Sequence, residues 1–114
     1  MGKKKIPSAV RNKVWNTYVG IDKAIDKCFC CNDEPITKTN FQYGHIISEA
    51  KGGEINVLNL RPVCSNCNLS MGTQNMIDFM KQYKFNIRND FQISDQYKKK
   101  SCQKIISFWG NIYL

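Results

Sequence analysis

The chain has 114 residues, with 17 Lys or Arg against 9 Asp or Glu, for a formal charge of +8. At roughly 100–200 residues per domain this reads as one compact unit over 1–114, with no room inside it for a second catalytic domain. Apolar residues make up 42% and charged residues 23%, ordinary globular values, and no stretch approaches the roughly 18 apolar residues of a membrane span.

The first residues, MGKKKIPSAV, carry charge with no apolar core behind it, which predicts a protein that stays inside the cell. Ile6-Pro7-Ser8 followed by Val10, Val14, Trp15 and Tyr18 predicts an amphipathic helix, since these apolar residues recur every three to four positions. Gly20 can stop it in a left-handed conformation, and Arg11 and Lys13 are expected to face outward. A polar turn around Asp33-Glu34-Pro35 precedes two short strands, Phe41–Ile47 and Val57–Arg61, each rich in branched or aromatic residues. A loop from Ser48 to Asn56, with Gly52-Gly53 at its middle, joins them as an antiparallel pair, and Pro62 closes the second strand. A short helix is expected over Ser65–Met71, ending at Gly72, and then a helix capped by Thr73 that carries Met76, Ile77, Met80 and Tyr83. Ser94 or Asp95 opens a last helix with Ile105, Ile106, Trp109, Ile112 and Tyr113 along one stripe, which is core or a homodimer contact.

Four of the six cysteines fall as Cys28-x-x-Cys31 and Cys64-x-x-Cys67. Two such knuckles place four thiolates where one tetrahedral zinc accepts them all, and a structural zinc contributes on the order of 10 kcal/mol to folding. A pair of disulfides is the alternative, disfavoured without an export signal. Cys30 and Cys102 are read as free thiols, although Cys30 adjoins Cys31 and competes with it as a ligand. The positive charge points to phosphates, with short Lys runs at 3–5 and 98–100 able to embrace a nucleic-acid backbone; solubility alone is the competing explanation.

Three polar residues stand out by position: His45 ending the first strand, Asn59 in the second, and Asn68 directly after the last knuckle cysteine. In a hairpin followed by a helix, a zinc cluster that pins the helix to the sheet brings His45 and Asn68 to opposite sides of one small cleft. Together, Gly44-His45-Ile46-Ile47, Gly52-Gly53, Asn59-Leu60, Arg61-Pro62 and Cys64-x-x-Cys67-Asn68 resemble the zinc-knuckle form of the HNH endonucleases. The likeness covers about 28–75, and the run Met71 to Met76 is further similar to small HNH proteins of large DNA viruses, which would put the protein in the cytoplasm or nucleus of a host cell.

The resemblance implies an α+β fold, a zinc-stapled ββα-metal nuclease domain flanked by N-terminal and C-terminal helices. It implies a DNA endonuclease, with RNA as the other polymer, that uses magnesium or manganese. His45 would be the general base, Asn68 a ligand of the catalytic ion, and Asn59 a residue that ties loop to hairpin and so orients the histidine. Arg61, read on the same strand face as Asn59, contacts a substrate phosphate or forms a structural ion pair. Many HNH enzymes carry Asp or Glu before the histidine as a metal ligand; here that position is Gly44, and Glu49 and Glu54 are the acidic residues of the following loop. A zinc module without catalysis, binding nucleic acid or docking onto an assembly, is the alternative reading.

Overall fold

A computed structural model describes residues 5–98. The first helix, α1 (Ser8–Tyr18), begins after Pro7, whose φ of −60° suits a helix start, and ends where Gly20 takes φ 137°. Its period-matched residues Val14 and Trp15 are fully buried. Arg11 does not point away from the protein: its guanidinium lies 4.0 Å above the Phe41 ring and donates to the carbonyls of Thr39 and Phe41. The apolar stem and flat cation cover an aromatic face that the helix period alone leaves bare.

A short antiparallel pair follows, β1 (Ile25–Lys27) with β2 (Pro35–Thr37), and it brackets the first knuckle. The second pair is β3 (Gln42–His45) with β4 (Leu60–Val63), in a register that sets Gly44 opposite Arg61 and His45 opposite Leu60. β4 begins later than its branched residues suggest. The Asn56 side chain accepts from Leu58 N–H and winds Val57–Asn59 into a 3-10 turn, so Asn59 lies before the strand and shares no period-two face with Arg61. Nor does Pro62 close the strand; it sits inside β4 opposite Tyr43. Its carbonyl accepts from Phe29 N–H rather than from β3, so the missing proline N–H falls on the edge turned away from β3, where no ladder bond is lost.

The two remaining well-formed helices are α2 (Ser65–Met71) and α3 (Met76–Tyr83). α2 stops at Gly72, whose φ 57° and ψ −120° suit glycine alone. Asn75, not Thr73, occupies the cap position of α3. Met76, Ile77 and Met80 are fully buried with Trp15, Phe41, Ile46, Leu60 and Val63 in one continuous core. A short α4 (Asp95–Lys98) opens where Ser94 or Asp95 was expected to start a helix. The rest of that helix, Cys102 and the lysines at 3–4 and 99–100 lie outside the described residues.

Candidate active site

The cleft geometry depends on the sulfur cluster. The sulfur atoms of Cys28, Cys31, Cys64 and Cys67 lie within 4.8 Å of one another. A tetrahedral zinc with Zn–S of about 2.3 Å needs sulfurs about 3.8 Å apart, so the four fit one ion with a small contraction. Backbone N–H groups already face the sulfurs: Cys30 and Cys64 donate to Cys28 Sγ at 3.3 and 3.2 Å, Glu34 to Cys31 Sγ at 3.5 Å, and Cys67 to Cys64 Sγ at 3.4 Å. Such donors favour thiolates. With protein groups alone, a hydrogen bond to Cys67 and burial push the Cys28 thiol up, and burial pushes up Cys64, which is the state a divalent cation reverses by displacing protons. Cys30 is buried but not one of the four, and it contributes its N–H to the cluster. The cluster ties the β1–β2 hairpin to the start of α2, directly after β4.

The pinned α2 faces the end of β3 across a cleft of about 310 Å³. Tyr43 and His45 from β3, Ser48 and Glu49 from the loop, Asn68 from α2 and Thr73 from the turn beyond it line its walls. His45 is 9% exposed and Asn68 half-buried, so both present limited, directed surfaces to this hollow. Thus two residues separated in sequence by two 3-10 turns and a strand are neighbours around one space. Glu49 shares it; Glu54 does not, and its carbonyl is engaged by Asn59.

Asn59 is fully buried behind the cleft. Its Oδ1 accepts from Ile47 N–H at 2.8 Å, and its Nδ2 donates to the carbonyls of Ile47 at 3.1 Å and Glu54 at 2.9 Å. Its main-chain carbonyl also accepts from Ile46 N–H at 2.8 Å. The residue therefore stitches both ends of the loop to the strand just past His45. Gly53 completes the stitch, because a Cβ there would lie 1.7 Å from the Ile47 carbonyl oxygen.

Arg61 lies in the interior, apart from the cleft. It is 2% exposed and is not part of the cleft wall; its guanidinium donates to Tyr18 Oη and to the carbonyls of Leu58, Leu60 and Gln92. It stacks 4.0 Å over the Tyr18 ring, and among the described residues no carboxylate pairs with it. Burial pulls its pKa down, and neutral oxygens and π-faces carry the charge instead of an ion pair. Gly44 also has a structural explanation. A Cβ there would sit 2.9 Å from Val63 Cγ1 and 3.0 Å from Met76 Sδ, so a side chain at this position points into the core, not at the cleft.

Tyr43, Ser48 and Thr73 are not legible as cleft residues in the sequence; the folded loop and the turn after α2 bring them to the space that His45 lines. No curated protein and no solved structure matches the chain. The family model of the HNH endonucleases matches residues 28–84, half of the chain, spanning both knuckles, the hairpin, α2 and α3. With the four-cysteine cluster and the hairpin-to-helix order already in view, the chain belongs to the HNH endonuclease family.

Proposed function

We propose that the protein is a divalent-metal-dependent endonuclease that hydrolyses DNA phosphodiester bonds in the cleft between β3 and α2. The observation that carries this reading is the shared cleft of His45 and Asn68, held by a sulfur cluster that suits structural zinc. The His45 imidazole would take a proton from water as the water oxygen attacks phosphorus and the bond to the 3′ oxygen breaks. Asn59 keeps that imidazole in place through Ile46 and Ile47 rather than by touching substrate. The Asn68 amide oxygen and the Glu49 carboxylate are hard donors on the same cleft, a set that suits magnesium or manganese. An ion held there would offset negative charge on the phosphate and the departing oxygen. The formal charge of +8 supports a polyanionic substrate.

Incubation of zinc-loaded protein with supercoiled plasmid is the test. Nicking that needs added magnesium or manganese and is lost in Asn68→Ala is expected; nicking unaffected by either change would contradict the reading. Glycine at position 44, where many HNH enzymes carry an acidic residue before the histidine, favours a second reading of a silent zinc module that binds nucleic acid. That reading predicts salt-dependent binding with no cleavage under any divalent ion.

A further inference from the structure

Ser48 follows His45 by three residues and lines the same cleft. Its main chain is fully committed. The N–H donates to Asn75 Oδ1 at 2.8 Å, and the carbonyl accepts from Gly53 N–H at 2.8 Å and Lys51 N–H at 3.0 Å. Asn75 stands at the cap position of α3 yet makes no side-chain capping bond there, so its amide serves Ser48 instead of its own helix. The side chain is the opposite: Ser48 is 4% exposed, and its buried Oγ has no hydrogen-bond partner among the protein groups of the described residues.

A buried hydroxyl without a partner destabilises a fold, and alanine at such a position would be the better choice for folding alone. A group that arrives in the cleft would supply the acceptor that the protein itself does not. Asn16 and Ser94 hold the other unpartnered buried oxygens among the described residues, but neither lines this space. What enters between His45 and Asn68 under the proposed function is a phosphodiester, whose non-bridging oxygens are charged acceptors, and a serine O–H is a donor.

We propose that Ser48 is a substrate-binding residue whose hydroxyl donates to a non-bridging oxygen of the phosphate in the cleft, an assignment that rests on the nuclease reading of the site. Rotation about the single Cα–Cβ bond would carry the hydroxyl from its buried position toward the cleft while the main-chain bonds stay intact. Binding then replaces an unsatisfied donor with a charge-assisted bond, so substrate gains from a cost already present in the free protein.

The test uses the zinc-loaded full chain carrying His45→Ala, which binds without turnover, and a fluorescein-labelled DNA duplex in magnesium. Adding Ser48→Ala raises Kd roughly tenfold, as loss of a bond to a charged group does, while the thermal midpoint without DNA stays level or rises. A Kd unchanged within about twofold overturns the proposal. A midpoint that falls by several degrees also overturns it, because the hydroxyl would then have a partner in the free fold. Failure of the underlying reading is separately visible: plasmid cutting by His45→Ala equal to that of the parent protein overturns the cleft chemistry, and absence of duplex binding by either protein overturns both.

Discussion

Replacing Asn59 removes the loop's anchor, and the cost follows from the groups left behind. Asn59→Ala deletes three hydrogen bonds and strands the N–H and carbonyl of Ile47, a residue only 4% exposed, while the partly buried Glu54 carbonyl reaches water more readily. At about 1–2 kcal/mol for each stranded buried group and about 1 for the third bond, the loss is about 3–5 kcal/mol. Against a total stability of about 5–15 kcal/mol this is severe, and at roughly 4 °C per kcal/mol it lowers the midpoint by about 12–20 °C. Asn59→Asp is the sharper probe. One carboxylate oxygen still accepts from Ile47 N–H, but the other faces the two carbonyls that Nδ2 served, so the variant is as damaged as the alanine at neutral pH. Burial and those carbonyls raise the folded pKa of such a carboxyl above its reference of about 3.9. The deficit therefore grows as pH rises through that range and shrinks in acid. Thermal unfolding followed by circular dichroism at pH 5 and pH 8 reads both effects. A loss below about 1 kcal/mol for the alanine, or an aspartate variant as stable as the parent at pH 8, would refute the assignment of Asn59 as the loop's buried anchor.

Three further changes probe Gly44, Arg61 and the cysteine cluster. Gly44→Asp drives a Cβ against Val63 and Met76 and buries a carboxyl, so it lowers stability by about 2–4 kcal/mol and does not tighten magnesium binding measured by calorimetry; tighter binding at full stability would mean that this position faces the cleft. Arg61→Ala leaves three carbonyls and Tyr18 without their donor and costs about 3–4 kcal/mol, while the salt dependence of DNA binding keeps its slope; a slope reduced by about one would return this arginine to a phosphate. Metal analysis of the purified protein yields one zinc per chain, retained in Cys30→Ala and lost in Cys31→Ser, and chelation unfolds the protein; zinc retained in Cys31→Ser would require Cys30 in the ligand set.

The parts of this architecture that were legible in the sequence are those whose signals are local. α1 follows from a run of apolar residues at helical spacing closed by Gly20, and α2 runs from the knuckle to Gly72 because each end has its own stop. The pairing of His45 with Asn68 around one cleft follows from the knuckles, which fix the helix to the hairpin whatever surrounds them. β1 and β2 were not legible, since three-residue strands are too short to show an alternation. Val57–Asn59 reads as strand by composition, and only the Asn56 side chain reaching Leu58 N–H turns it. Arg61 misleads for a different reason: its partners Tyr18 and Gln92 lie 43 and 31 residues away, so nothing near it in sequence reveals an interior cation.

The central claim is that an imidazole at the end of β3 activates water in the cleft it shares with Asn68. Single-turnover cleavage of a DNA duplex by His45→Ala, with zinc content and thermal midpoint matched to the parent protein, tests it most directly. The account predicts a rate reduced by at least roughly 100-fold at neutral pH, the scale of a lost general base; a rate within a few fold of the parent would contradict it.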